Sequence, residues 1–182
     1  MAVGAEVAEV VETGVAAAVF QVVAVVLGAV VREEVGDLMK PKEFLNQLRQ
    51  DEIVSAIRSA EQQTSGEIRV FVSREAVEDP VAVAQAHFVQ MGMEKTRERN
   101  GVLIFVAPRA RKFAVVGDTA VHARCGDEFW RILAEKMSSD FRDSHFTRGI
   151  VHAVRTAGDL LARHFPRRPD DRNELPDDVA HD

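Results

Sequence analysis

The sequence predicts an α/β protein in which helices cover both faces of a small mixed sheet, a three-layer α/β/α sandwich. Three observations lead to this prediction. Segments with apolar residues at helical spacing alternate with short β-rich runs. One of those runs, residues 102–107 (VLIFVA), is apolar throughout, as expected for a strand buried on both faces. The length of 182 residues suits one ordinary domain rather than two.

The first half of the predicted domain contains helices, a strand and a further helix. Apolar residues recur at helical spacing from residue 44 to residue 60, and within this stretch a helix over 51–63 has Asp51 as its candidate N-cap. Residues 67–72 (EIRVFV) alternate between polar and apolar before becoming β-rich, which predicts a strand. An Asp-Pro pair then predicts the start of a helix over 79–93.

The second half of the predicted domain contains a hairpin followed by two helices. In order, the sequence predicts a basic linker (94–101), a buried strand (102–107), a short turn (108–111), a return strand (112–118), a loop (119–126) and helices over 127–139 and 146–164. The first two strands are joined through a helix and are expected to be parallel, whereas the hairpin strands are antiparallel.

This topology brings polar residues to one edge of the sheet, where the first two strands begin and the third ends. The loop after the third strand and the start of the next helix add further polar side chains. The residues expected there are Thr64, Ser65, Glu67, Arg97, Arg99, Asn100, Asp118, Thr119, His122, Arg124, Cys125, Asp127 and Glu128.

Three interpretations of this edge remain open from the residues alone. Carboxylates suit a hard cation such as Ca²⁺ or Mg²⁺, for which the candidate ligands are Glu67, Asp118 and Asp127. Basic side chains beside a helix N-terminus suit a phosphate instead. The candidates for that role are Arg97, Arg99, Asn100 and Arg124. In the third interpretation, the same acids and arginines form a structural salt-bridge network.

The charge of the chain is unevenly distributed. The net charge is −6, yet residues 39–166 carry 19 basic and 17 acidic residues, so the excess acid lies in the two flanking segments. A nearly neutral body predicts no nucleic-acid partner. One cysteine excludes a disulfide framework.

Residues 167–182 are rich in Pro, Asp and Arg and poor in apolar residues, which predicts a flexible acidic tail.

Residues 1–38 differ in texture from the rest and form an apolar and acidic N-terminal extension. Residues 15–31 are an apolar run near the lower length limit of a membrane span, preceded by acidic residues that do not fit a signal peptide. Two interpretations follow, a weak membrane anchor or a start of translation at Met39 rather than Met1. With the second, the protein is expected in the cytoplasm; a membrane partner is expected only if residues 15–31 are translated and inserted.

Four segments, in this order and at this spacing, resemble the TPM domain family. They are residues 64–70 (TSGEIRV), 96–104 (TRERNGVLI), 112–118 (KFAVVGD) and 126–130 (GDEFW). The resemblance covers residues 40–166 and is greatest to small bacterial members that consist of one TPM domain. It implies a Rossmann-like α/β/α sandwich, in agreement with the elements predicted above.

The resemblance also implies two kinds of function. Some members of the family are associated with divalent cations, especially calcium, which predicts a binding module with Glu67, Asp118 and Asp127 as ligands. Another member has acid phosphatase activity, which implies as the alternative a metal-assisted phosphatase. In that alternative the arginines hold the phosphate and His122 is the candidate proton donor. An unidentified protein partner is compatible with either function.

Overall fold

The computed structural model describes Val22–Val23 and residues 40–171 and 173–182. Its helices and strands agree in type and order with most of the predicted elements. In chain order they are β1 (Val22–Val23), α1 (Pro41–Gln47), α2 (Gln50–Glu61), β2 (Ile68–Val72), α3 (Pro80–Gln90), β3 (Val102–Ala107), β4 (Lys112–Gly117), α4 (Thr119–Arg142), α5 (Phe146–His164) and β5 (Val179–His181).

The strands form one mixed sheet in the order β1-β4-β3-β2-β5. β2 and β3 are parallel, with Ile68 opposite Val102, and β3 and β4 are antiparallel, with Val102 opposite Gly117. Both orientations confirm the predicted topology. At the two margins, β1 pairs antiparallel with β4 and β5 pairs parallel with β2.

Helices cover both faces of the sheet, which confirms the three-layer sandwich. Val70 and Ile104 point into a core shared with α1, α2, α4 and α5. The alternate residues Phe71 and Phe105 point to the opposite face, where they join the buried side of α3. Because side chains alternate along a strand, each central strand supplies both cores, and this explains why β3 is apolar at every position.

Two element starts illustrate how local chemistry sets the boundaries. The carboxylate of Asp79 accepts hydrogen bonds from the backbone N–H groups of Val81 and Ala82, so α3 begins where the Asp-Pro pair predicts. α2 begins at Gln50, one residue earlier than the predicted N-cap. Asp51 therefore lies in the first turn of α2, and the prediction that it caps the helix is wrong.

The predicted loop over residues 119–126 is helical instead. α4 begins at Thr119, because Asp118 caps it by accepting from the Thr119 N–H at 2.6 Å. Gly126, with φ 66° and ψ 178°, interrupts the helical dihedral angles, so the predicted start at Asp127 corresponds to a kink within α4.

The acidic tail has a defined place against the domain, contrary to the flexible segment that its composition predicts. Val179 to His181 add β5 to the margin of the sheet, and Val179 is buried. The reason is tertiary, because β2 would otherwise present unpaired backbone groups and the tail supplies partners for them.

The predicted N-terminal extension lies outside the described residues except for Val22–Val23. None of the helices in the described ranges is both long enough and apolar enough to cross a membrane.

Candidate functional site

Main-chain hydrogen bonds join the strand ends that the sequence predicts to meet. The Val102 N–H donates to the Glu67 carbonyl at 2.8 Å, and the Asp118 N–H donates to the Gly101 carbonyl at 2.9 Å. The polar edge therefore exists as predicted at the level of the backbone. Its side chains, however, divide into separate groups with different partners.

The first group is an ion pair between the buried Asp118 and the partly exposed Arg99. The carboxylate of Asp118 is fully buried, and the Arg99 Nε lies 3.0 and 2.9 Å from its two oxygens. The same carboxylate caps α4 through Thr119. Both oxygens are thus held by protein groups, which favours the structural interpretation for these two residues.

The second group surrounds Glu67, which is only 3% exposed. Its Oε1 accepts from the backbone N–H of Glu174 in the tail at 2.8 Å. Within the described ranges, its Oε2 has no hydrogen-bond partner of normal geometry, although the Leu175 N–H lies near enough to the carboxylate to oppose the rise of its pKa. Burial raises the pKa of Glu67 to about 7, and the nearby carboxylates of Glu174 and Asp171 contribute to the rise.

Glu61 belongs to the same group, and the sequence analysis missed it. Its Oε1 accepts from the backbone N–H of Ile68 at 2.9 Å, so it joins the end of α2 to the start of β2. Burial raises the pKa of Glu61 to about 8, with further contributions from Glu67 and Asp177. The sequence did contain an indication of this position. Glu61 lies one helical turn after the buried Ile57 and therefore falls on the same face of α2.

A cleft of about 250 Å³ lies beside these two glutamates. The tail contributes one wall, and α2 and the segment before β2 contribute the others. Its charged and amide-bearing lining residues are Arg58, Glu61, Gln62, Glu67, Arg167, Asp171, Asn173 and Asp177. The cleft is therefore predominantly acidic, with two guanidinium groups at its wall.

The third group contains Asp127 and His122. Asp127 is largely exposed, and its Oδ1 lies 3.6 Å from the Nε2 of the mostly buried His122. In the described part of the chain, no three or more His, Cys, Asp or Glu side chains are arranged to hold a metal ion. The three predicted ligands Glu67, Asp118 and Asp127 thus have separate partners rather than one shared centre.

The residues predicted to hold a phosphate mostly contact acidic or polar protein groups. Arg97 Nη1 lies 3.4 Å from Asp170 in the tail. Asn100 donates to the Ser65 hydroxyl at 3.2 Å, and that hydroxyl donates to Glu98. Arg124 is exposed on α4. Together with the Arg99–Asp118 pair, these contacts favour the salt-bridge interpretation over a phosphate cradle.

The raised pKa values of the partly buried Glu61 and the buried Glu67 predict a fall in stability with increasing pH. Both groups bind a proton more tightly in the folded protein than in the unfolded chain. Their stabilising contribution is complete below the ordinary pKa of 4.5 and is lost as pH rises through about 7 and 8. We expect the free energy of unfolding to fall by about 1 kcal/mol or more between pH 6 and pH 9.

Urea unfolding at a series of pH values measures this effect. The double variant Glu61→Gln with Glu67→Gln should show a flatter profile, while Glu52→Gln on the exposed side of α2 should keep the wild-type slope. A wild-type free energy of unfolding that stays constant over this range would contradict the prediction.

The architecture and the acidic cleft define the class of the protein as a small α/β/α sandwich domain with a polar sheet edge. The chain belongs to the TPM domain family, whose model matches residues 38–160. This match confirms the resemblance stated from the sequence motifs. No protein of curated function matches the sequence.

Two solved structures are similar to the chain. The BA42 protein from the psychrophilic bacterium Bizionia argentinensis, solved by NMR, is 35% identical with a TM-score of 0.68, and the match covers 75% of this chain and 96% of that one. The N-terminal domain of a P. gingivalis protein, also solved by NMR, is 16% identical with a TM-score of 0.51, covering 73% and 99%. The second likeness supports the fold alone.

Proposed function

We propose that this TPM domain binds a divalent cation, Ca²⁺ or Mg²⁺, at the acidic cleft beside the start of β2, with Glu67 as the central ligand. The observation that supports the proposal is the buried Glu67 carboxylate, whose Oε2 lacks a hydrogen-bond partner of normal geometry among the described residues. A desolvated carboxylate oxygen is costly to leave unpaired, and hard cations prefer such oxygens.

The surroundings of Glu67 support the same proposal. Carboxylates from Glu61, Asp171 and Asp177 line the same cleft, although among the described residues they are not gathered around one point. Asp118 is held by Arg99, and Asp127 lies near His122. We therefore expect these two predicted ligands to contribute less to cation binding than Glu67 does. Binding then requires the cleft carboxylates to lose their protons and move towards the ion.

We expect calorimetry of the full chain to detect Ca²⁺ or Mg²⁺ binding that strengthens as pH rises from 6 to 8. The direction follows because Glu67, with its pKa raised to about 7, must ionise before it can bind the cation. Glu67→Gln should weaken binding by about tenfold or more, since it removes an anionic ligand of the ion.

The matched control is Asp127→Asn, which removes an exposed carboxylate elsewhere on the polar edge and should change the affinity little. The proposal is wrong if neither cation binds at pH 8, or if Glu67→Gln binds the ion as tightly as the wild type. A greater loss of cation affinity in Asp127→Asn than in Glu67→Gln would indicate that the cation binds at α4 instead.

A further inference from the structure

The C-terminal strap, defined as residues 167–171 and 173–182, crosses one side of the domain outside the segment that the TPM model matches. Its last residues form β5, which pairs in parallel register with Val70, Phe71 and Val72 of β2. The strap thus occupies the margin of the sheet as an added strand, in the manner of a bound peptide.

Basic residues of the domain meet acidic residues of the strap along this margin. Arg58 Nε lies 3.0 Å from Asp177, and Arg69 Nη2 lies 3.0 Å from Asp178. At the far end, Asp182 accepts hydrogen bonds from the Ser73 hydroxyl and the Arg74 N–H. The side of β2 that the strap covers, called the groove below, therefore carries charge complementary to an acidic segment over the length of β5.

Arg69 is the anchor of this groove because it is buried within β2 and only 4% exposed. In the described part of the chain, its Nε and Nη1 have no hydrogen-bond partner. Asp178 is the carboxylate that meets its remaining nitrogen. A buried guanidinium with so few acceptors favours a segment that carries a carboxylate at this position.

Small apolar residues complete the recognition pattern. Val179 packs into the core on the side of α2 and α5, and Ala180 packs against the core beneath α3. The groove therefore fits an extended segment in which two acidic residues precede two small apolar residues, as Asp177 and Asp178 precede Val179 and Ala180 in the strap. Several strap contacts are ion pairs with at least one exposed partner, which solvent weakens, so this segment is suited to exchange.

We propose that the side of β2 that β5 covers, with Arg69 as its anchor, is a docking groove for an extended acidic peptide of a partner protein, and that the strap occupies it as a self-ligand. The partner segment carries adjacent carboxylates followed by small apolar residues and adds to β2 as a parallel strand. This inference does not rest on cation binding, and its test is performed in the presence of a chelator.

The experiment measures fluorescence anisotropy of a labelled peptide with the sequence of residues 173–182, titrated with the full chain. The wild-type chain should bind it weakly, because the tethered strap competes at a millimolar effective concentration. The full-length variant Asp178→Asn should bind it about tenfold or more tightly, since its own strap no longer presents a carboxylate to Arg69.

Three controls make the result specific. A peptide that itself carries Asp178→Asn should bind the Asp178→Asn chain about tenfold more weakly than the unmodified peptide. Asp170→Asn, which removes an exposed strap carboxylate away from β5, should behave as the wild-type chain does. A third peptide keeps only the side chains of Asp177, Asp178, Val179 and Asp182 of the strap sequence. It should retain most of the affinity.

The proposal is overturned if the folded Asp178→Asn chain binds neither peptide, or binds both equally. A dimer that forms in place of peptide binding would also overturn it and assign the groove to the strap of a second copy. Should this variant unfold, the isotope-labelled wild-type chain with millimolar unlabelled peptide replaces it. The strap amide resonances should then move to free-chain positions, and unmoved resonances would refute the proposal.

Discussion

Replacing Gly117 with alanine should lower the free energy of unfolding by about 3 kcal/mol. A Cβ atom at this position would lie 2.5 Å from the Cη2 and Cζ2 atoms of Trp130. The indole ring is buried, and the position ends β4, so neither the ring nor the strand can move away freely. Chemical denaturation followed by far-ultraviolet circular dichroism measures the loss, because this signal also serves variants that lack Trp130, the single tryptophan of the chain.

The double variant Gly117→Ala with Trp130→Phe tests the cause, because the smaller ring leaves room for the added methyl group. The two substitutions together should cost less than the sum of their separate effects.

Gly92→Ala is the matched control, since its Cβ meets nothing within 4 Å and only the left-handed φ of 72° opposes it. Its cost should be about 1 kcal/mol. Equal losses in the two single variants would contradict the packing explanation.

Replacing Asp118 with alanine should lower the free energy of unfolding by about 2–3 kcal/mol. The substitution removes the cap of α4 and the carboxylate that pairs with Arg99. The loss stays below that of a fully buried pair, because Arg99 is 41% exposed and water can solvate its charge. Thermal and urea unfolding of the variant measure the change.

Two further variants separate the roles of Asp118. Asp118→Asn keeps a side-chain oxygen for the helix cap and should recover part of the loss. Asp127→Ala removes an exposed acid of the same edge and should change the stability little. An Asp118→Ala chain that is as stable as the wild type, yet no longer binds the cation, would show that Asp118 is a ligand instead of a structural residue.

The central sheet and two helices were predictable because their signals are local. The apolar run over 102–107 coincides with β3, and α5 coincides with the predicted helix over 146–164. The Asp79 cap started α3 at the predicted residue. In each case, the residues that decide the structure lie within a few positions of one another, so pattern and capping rules suffice.

The polar edge was predictable in position but not in its pairings. The predicted strand directions place Glu67, Asn100 and Asp118 at one edge, and backbone hydrogen bonds join Glu67 to Val102 and Asp118 to Gly101 there. The sequence could not say that Arg99 would take Asp118 or that Glu67 would meet the tail, because these choices depend on side-chain reach across the fold. Helical spacing places Glu61 on the same face of α2 as the buried Ile57, but its contacts with Ile68 and Asp177 depend on segments that the local pattern does not record.

The sequence by itself determined the α/β class, the membership of the TPM family and the direction of the central strands. Periodicity, strand composition and motif order are written in neighbouring residues, so these properties need no knowledge of distant contacts. Only the tertiary structure decided that the acidic tail becomes β5, that Arg69 is buried against it and that two glutamates share one cleft. The physical reason is that burial and charge pairing depend on segments about 100 residues apart along the chain, which local patterns do not record.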